Sequence, residues 1–337
     1  MLCGARFTTD NAVSERSTPW QTFMLYYRGI VDAVSKQPTV LIDGLRFTEG
    51  PRWHDGRLYF SDMHAGEVIA VSMDGTRETI AALSSPMMSS GLGWLPDGDL
   101  LIVSMQDRSL MRLDAKSGNL TPYADLSSIA TWHCNDMVVD GKGRAYVGNF
   151  GWDIYDPQIG WPTDGPVKGA SLALVMPGKM APTGRRGRPQ AIAAADDLAF
   201  PNGTVVTPDG KTLIVAESWG MCLTAFDILE DGKLDNRRTW AKFPFVPDGI
   251  CLDAEGKIWV ANPAPPGFAA LVGEGGTIHQ IVRCEPKWTC FAVALGGPEG
   301  RTLFMLEAKG SHPDKSVPGD SRVRMVEVAV GRAEAWP

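Results

Sequence analysis

Four oxygen-bearing side chains recur at equivalent places in a short repeated pattern. They are Glu49, Asn135, Asn202 and Asp248, and each begins one copy of the pattern. Carboxylate and carboxamide oxygens are the ligands that Ca²⁺ prefers, and two charges of −1 would offset its +2 while water completes the shell. An isolated Asn or Asp before Gly is usually a turn former. Four such residues in register across separate copies favour a metal site instead.

The repeated pattern occurs six times, with starts at residues 49, 90, 135, 202, 248 and 290. Ser90 and Cys290 begin the two copies without a predicted ligand. Each copy combines a short apolar strand, a turn built on Asp-Gly or Glu-Gly and a second apolar strand, which is typical of a β-hairpin. Successive starts are 41, 45, 67, 46 and 42 residues apart. This spacing, with four short strands per repeat, predicts an all-β protein, a six-bladed β-propeller.

The blades of a propeller place their innermost strands around a central channel, so the first residues of the copies should face one axis. We assign residues 41–337 to the propeller and 1–40 to an N-terminal extension. In that extension, Thr18-Pro19 predicts the start of a helix over 20–36. The longest interval carries an insertion within 151–197, which is either a surface elaboration or a lid near the mouth of the ring.

The segments around the four candidate ligands resemble one known family. They read Phe-Thr-Glu-Gly-Pro at 47–51, Asn-Asp-Met-Val-Val-Asp at 135–140, Phe-Pro-Asn-Gly at 200–203 and Val-Pro-Asp-Gly-Ile-Cys-Leu-Asp-Ala-Glu-Gly at 246–256. Over residues 40–330 the chain is similar to the senescence marker protein, gluconolactonase and luciferin-regenerating enzyme family of six-bladed propellers. The resemblance implies one divalent cation, usually Ca²⁺, with Glu49, Asn202 and Asp248 as its main ligands. It implies that Asn135 is a further ligand or holds the substrate.

The predicted site suggests ester chemistry. A Ca²⁺ ion bound to a lactone carbonyl would act as a Lewis acid and stabilise the oxyanion that forms when water attacks. Asp248 is the candidate general base or nucleophile, a role that the resemblance also implies, and the alternative is a ligand without proton transfer. The all-oxygen ligand set favours Ca²⁺ but would also accept Mg²⁺, Mn²⁺, Zn²⁺ or Fe²⁺.

Residues beside the candidate ligands predict how a substrate would be held. Sugar-lactonase members of the family often carry an Arg two residues before the equivalent of Asn135, whereas this chain has His133, which weakens the case for an aldonolactone. The candidate substrate-binding residues are Trp132, His133, Asn149, Phe150, Trp152 and Trp219. Core packing is the alternative for each. If their rings surround the ion, the pocket is aromatic and fits a less polar lactone or ester.

The composition excludes several other classes of protein. The 337 residues contain 32 Lys and Arg against 39 Asp and Glu, which gives a formal charge of −7 without a long basic run, so nucleic acid is not an expected partner. No window reaches the ~18 apolar residues of a spanning helix, so no membrane partner is expected either. The six cysteines form no Cys-x-x-Cys pair, which favours free thiols in the cytoplasm.

Three functions remain open on the sequence alone. The first is a metal-dependent hydrolase that opens a lactone ring. The second is a phosphotriester or fluorophosphate hydrolase, because some similar propellers with the same four ligands accept phosphorus electrophiles. The third is a calcium-binding or protein-interaction propeller without catalysis. The identity of the lactone or ester, the native metal and the oligomeric state are not readable from the sequence.

Overall fold

The computed structural model describes residues 37–156, 169–178 and 189–334. These residues form 24 strands and two short 3₁₀ turns, Met63–Ala65 and Pro313–Lys315. The strands are β1 Thr39–Leu45, β2 Thr48–His54, β3 Arg57–Asp62, β4 Glu67–Val71, β5 Arg77–Ala82, β6 Ser89–Trp94, β7 Leu100–Ser104, β8 Ser109–Leu113, β9 Leu120–Asp125, β10 Cys134–Val139, β11 Ala145–Asn149, β12 Ala170–Val175, β13 Ala191–Leu198, β14 Pro201–Val206, β15 Thr212–Glu217, β16 Cys222–Ile228, β17 Leu234–Lys242, β18 Ile250–Leu252, β19 Ile258–Asn262, β20 Phe268–Val272, β21 Ile278–Arg283, β22 Thr289–Gly296, β23 Thr302–Ala308 and β24 Ser321–Glu327.

The strands form six antiparallel sheets of four strands each, which are the blades of a propeller. Blades one to five take consecutive strands, from β2–β5 to β18–β21. Blade six takes β22, β23 and β24 from the end of the chain and β1 from its beginning, and β1 pairs antiparallel with β24. Because strands from both ends share one sheet, the ring is closed by hydrogen bonds. The prediction of an all-β six-bladed propeller is confirmed.

Glycines at the second position of the repeat let neighbouring innermost strands approach closely. A Cβ on Gly91 would lie 2.5 Å from the amide nitrogen of Met137, and a Cβ on Gly203 would lie 2.5 Å from that of Ile250. Real Cβ atoms essentially never show such distances, and the obstacles are backbone atoms. A side chain at these positions would push apart the strands that surround the channel.

Apolar side chains fill the space between blades. Trp53 of blade one stacks on Phe304 of blade six with ring centroids 5.6 Å apart. Phe268 of blade five packs edge-on against Phe245, at 5.1 Å, in the segment that leads from blade four to blade five. These contacts bury the faces that a single four-stranded blade would expose, so interblade packing stabilises the ring.

Two predictions about the chain's organisation concern segments that the structure covers only in part. The helix expected over 20–36 lies outside the described residues. The 151–197 stretch contains β12 and most of β13, the two outer strands of blade three, and its extra length falls in the connections 150–169 and 176–190. Within the described part of the chain, no helix has the length and apolar character needed to cross a bilayer.

Candidate metal centre and active site

A cavity of about 1170 Å³ opens at one end of the channel, and all four candidate ligands line it. Glu49, Asn135 and Asn202 are each the second residue of an innermost strand, whereas Asp248 lies two residues before β18. Each of the four is only 5–7 % exposed. The ring thus brings together side chains that are up to 199 positions apart in the sequence.

The two carboxylates are in an environment that disfavours their negative charge. Burial, followed by the charges of Asp248 and Asp136, raises the pKa of Glu49 well above its ordinary value. Burial and the charge of Asp136 likewise raise the pKa of Asp248, while a hydrogen bond from the Asn202 side chain opposes this rise. A bound divalent cation would offset the desolvation and the repulsion together.

The two amides add oxygens without adding charge. The Nδ2 atom of Asn202 donates to Ser218 Oγ at 3.2 Å, and Ser218 Oγ donates in turn to the carbonyl of Pro247 at 2.9 Å. This fixes the Asn202 amide and leaves its Oδ1 available to a cation. The Nδ2 atom of Asn135 is buried and has no hydrogen-bond partner, which marks this amide as incompletely satisfied.

These observations fit a hard cation held by oxygen atoms. No group of three or more His, Cys, Asp or Glu side chains in the described ranges could hold a metal ion. A cation at this centre would therefore depend on the mixed set of two carboxylates and two amides, with water in the remaining positions. That is a donor set that Ca²⁺ accepts.

A buried ion pair adjoins the centre, and the sequence analysis missed it. Arg52 Nη2 lies 3.2 Å from Asp136 Oδ1, and the two side chains are each 8 % exposed. The guanidinium also donates to the carbonyls of Pro51, at 2.8 Å, and Met137. An alignment of the six copies could have pointed to Asp136, because four of the other five copies have Gly at its position.

The cavity wall is mainly apolar and contains several aromatic rings. Phe47 and Phe291 meet edge to face at 4.8 Å, and Phe150 and Phe200 do so at the same distance. Trp219 lies beside Phe200 at 5.6 Å. All five rings line the cavity. Of the six predicted substrate residues, Phe150 and Trp219 are thus in the wall.

The other four predicted substrate residues lie behind this wall. Trp132 stacks on His133 at 5.0 Å, and His133 in turn lies 6.3 Å from the ring of Phe150. Trp152 stacks on Trp219 at 6.3 Å. The buried Asn149 amide donates to the Ser171 carbonyl at 2.8 Å and accepts from the Gly151 amide at 3.0 Å. Their contacts support the wall and the end of β11.

Sequence reasoning missed several wall residues that share one repeat position. Phe47, Phe200, Val246 and Trp288 all line the cavity, and each stands two residues before the start of a copy. These apolar side chains precede the innermost strands β2, β14, β18 and β22, and in three of the four copies a candidate ligand follows two residues later. A search at this offset in every copy would have found them.

The cavity mouth is narrowed by a contact between blades three and six. The hydroxyl of Tyr155, which follows β11, donates to the carbonyl of Ser311 at 3.2 Å. The Tyr155 ring also packs edge-on against His312 at 5.2 Å. Burial raises the pKa of Tyr155, so the phenol remains neutral and serves as a hydrogen-bond donor.

The chain was compared with protein families and with individual proteins. A protein-family model described as "SMP-30/Gluconolactonase/LRE-like region" matches residues 47–309. A regucalcin of Gallus gallus is 40% identical over 273 residues, which cover 79% of this chain and 84% of the relative. A regucalcin of Xenopus laevis is 41% identical over 117 residues, 34% of this chain and 39% of its own length.

Solved structures share the fold. A calcium-binding protein of Agrobacterium tumefaciens, described as regucalcin, superposes with a TM-score of 0.68 at 20% identity, over 89% of this chain and 96% of its own. A gluconolactonase of Xanthomonas campestris superposes with a TM-score of 0.62 at 24% identity, over 86% and 89% of the two chains. The propeller, the matched region and the relative in Gallus gallus agree, and the chain belongs to the SMP-30, gluconolactonase and luciferin-regenerating-enzyme-like family.

Proposed function

We propose that this protein is a metal-dependent hydrolase that opens a lactone ring. The observation that carries the proposal is the convergence of Glu49, Asn135, Asn202 and Asp248 in one cavity with an apolar wall. Relatives in the family that are described as gluconolactonase support the same class of reaction. The proposed substrate is a small cyclic ester that enters the cavity and reaches the four oxygen-bearing side chains.

Glu49, Asn135, Asn202 and Asp248 would hold the cation. A regucalcin relative and a solved calcium-binding protein of the same fold support Ca²⁺, although an all-oxygen set also accepts Mg²⁺, Mn²⁺, Zn²⁺ or Fe²⁺. When bound, the cation supplies Lewis-acid polarisation of the ester carbonyl. Ser218 keeps the Asn202 amide in a fixed orientation, so the site is organised before substrate arrives.

Asp248 is the proposed general base or nucleophile. Its carboxyl group lines the cavity, it is 6 % exposed, and no arginine or lysine forms an ion pair with it among the described residues. Apart from the hydrogen bond that it accepts from the Asn202 side chain, its oxygens would be available to hold the attacking water and to take its proton. General-base help of this kind is typically worth ~10² to 10⁴ in rate.

The aromatic wall supports a substrate of low polarity. Phe47, Phe200 and Phe291 offer ring surface next to the ligands, and the side chain that replaces the family's arginine, His133, lies behind the wall. Burial lowers the pKa of His133, so it carries no charge at neutral pH with which to grip a sugar acid. An alkyl- or aryl-substituted lactone fits this surface better than a polyhydroxylated one.

A pH-indicator screen tests the proposal. Purified protein is offered γ- and δ-lactones, aryl esters and a fluorophosphate, with and without EDTA. We expect EDTA-sensitive lactone hydrolysis that returns with Ca²⁺ and falls by ~10² or more in Asp248→Asn. Asp227→Asn, which removes an exposed partner of Arg238, is the matched control and should retain activity.

The same screen separates the alternatives. Preferential release of fluoride would assign the site to phosphorus esters. Metal binding without turnover of any substrate, with Asp248→Asn changing only that binding, would assign the protein to the non-catalytic calcium-binding class.

A further inference from the structure

Two residues of the innermost strands differ in type from the residues at the equivalent positions of the other copies, and they contact each other. Asp136 occupies the second position of its copy, where Gly50, Gly91, Gly203 and Gly249 stand in four others. Arg52 occupies the fourth position of the first copy, where the other five copies have Gly, Val or Cys. These two exceptional side chains form an ion pair with each other across the channel, from blade one to blade three.

The pair lies next to the proposed cation site. Asp136 directly follows the candidate ligand Asn135 in β10, and Arg52 lies three residues after Glu49 in β2. In keeping with this placement, the charge of Asp136 raises the pKa of both Glu49 and Asp248, and Arg52 opposes the rise at Glu49. Arg52 also lines a separate small cavity of about 70 Å³, which the four candidate ligands do not line.

A packing role alone does not account for the pair. Arg52 Nε is buried without a hydrogen-bond partner, so the guanidinium is not fully satisfied by its surroundings. Replacing a buried ion pair by apolar groups of similar size is often neutral or even stabilising, because desolvation of the two charges can exceed their mutual attraction. Apolar residues or glycine fill the equivalent positions in the other copies.

We propose that Arg52 sets the net charge of the metal centre and with it the centre's preference for divalent ions. The candidate ligands include two carboxylates, those of Glu49 and Asp248, and the adjoining pair adds the Asp136 carboxylate and the Arg52 guanidinium. The formal charge of the centre and the pair together is therefore −2. One divalent ion neutralises that charge. Without Arg52 the charge would be −3, which favours a trivalent ion, and without Asp136 it would be −1. This inference rests on the proposed metal centre.

The charge count predicts effects of opposite sign for the two partners. Arg52→Gln should bind Ca²⁺ more tightly, by about tenfold, and should favour Tb³⁺ still more, because a nearby unit charge at the effective dielectric of a protein contributes on this scale. Asp136→Asn should weaken Ca²⁺ binding by about the same factor. The double variant should return close to the wild-type affinity. Arg52→Lys keeps the charge and should also bind like the wild type.

The experiment measures Ca²⁺ affinity by calorimetry and Tb³⁺ affinity by tryptophan-sensitised luminescence, on EDTA-treated full-length protein at pH 8. Thermal unfolding of each metal-free variant is recorded in parallel. Arg144→Gln is the matched control, because Arg144 forms an equally buried pair with Asp140 away from the cavity. It should lower the melting temperature without changing either affinity.

Two results would overturn the proposal about Arg52. One is equal affinity in Arg52→Gln and Arg52→Lys, a comparison that decides the matter even where Asp136→Asn does not fold. The other is weakening in both single variants without recovery in the double variant, which a purely structural pair predicts. If the wild type binds neither ion, the proposed metal centre itself is wrong, and the proposal about Arg52 falls with it.

Discussion

Gly203 should be intolerant of even a methyl group, because it lies where the innermost strands of blades four and five meet. A Cβ there would lie 2.5 Å from Ile250 N, 2.6 Å from the Asp248 carbonyl oxygen and 2.7 Å from Gly249 Cα. All three obstacles are backbone atoms, so no side-chain rotation can relieve the overlap. Gly203→Ala must therefore move one strand relative to the other.

The size of the effect follows from these distances. Ordinary contacts between carbon atoms are about 3.5–4.0 Å, so the strands must separate by roughly 1 Å. Overpacking of this kind costs about 1–3 kcal/mol, which for a protein of this length lowers the melting temperature by about 1–4 °C. Asn202 and Asp248 flank the contact, so the two proposed ligands are displaced together, and a shift of ~1 Å can cost 10²-fold in rate.

Thermal unfolding, calcium affinity and lactone turnover of Gly203→Ala are the measurements. Gly310→Ala is the control for stability, because a Cβ at Gly310 meets nothing within 4 Å. It should change stability by less than about 0.5 kcal/mol. A Gly203→Ala protein that melts, binds calcium and turns over like the wild type would refute the argument that close strand approach positions the ligands.

Three further predictions concern the carboxylates, the wall and the mouth. In metal-free protein the raised pKa of Glu49 means that the folded state binds this proton more tightly than the unfolded chain. The stabilisation that protonated Glu49 gives the folded state is therefore present below pH 4.5, the ordinary pKa of glutamate. It is lost as the pH rises through the higher pKa of Glu49 in the folded state. Glu49→Gln should reduce this loss and remove calcium-dependent stabilisation, as thermal unfolding in EDTA at pH 5 and pH 8 would show; an unchanged pH dependence would contradict this. Phe47→Leu should raise KM for an apolar lactone about fivefold at similar kcat, because the smaller side chain loses contacts that bind the substrate and the transition state equally. An unaltered KM would show that Phe47 does not contact the substrate. Tyr155→Phe loses the bond to Ser311, worth about 0.5–1.5 kcal/mol, and should raise KM without altering calcium affinity; a change in calcium affinity alone would contradict a role at the mouth.

The fold was predictable because each blade repeats a local pattern. Asp-Gly turns and apolar strands recur with a period close to one blade, and the positions of Glu49, Asn135, Asn202 and Asp248 within that period place them around one channel. The closing strand β1 was not predictable in the same way. It pairs with β24, nearly 290 residues away, and no turn signal connects them.

The walls of the site were harder to predict than its centre. Asn149 and Trp152 were predicted to bind substrate, but the Asn149 amide donates to the Ser171 carbonyl and Trp152 stacks on Trp219. The alternation of side chains predicts which face a residue occupies only within one strand, and Trp152 lies beyond the end of β11. The Arg52 and Asp136 pair depends on two blades meeting across the channel, which only the closed ring reveals.

A crystal structure of the protein grown with Ca²⁺ tests the central claim most directly. We expect one ion at the channel centre, with oxygen atoms of Glu49, Asn135, Asn202 and Asp248 at the 2.3–2.6 Å typical of calcium ligands. Water molecules should complete its shell on the side of the cavity. A centre without an ion at saturating calcium, or an ion bound elsewhere while these four side chains bond only to one another, would contradict the account.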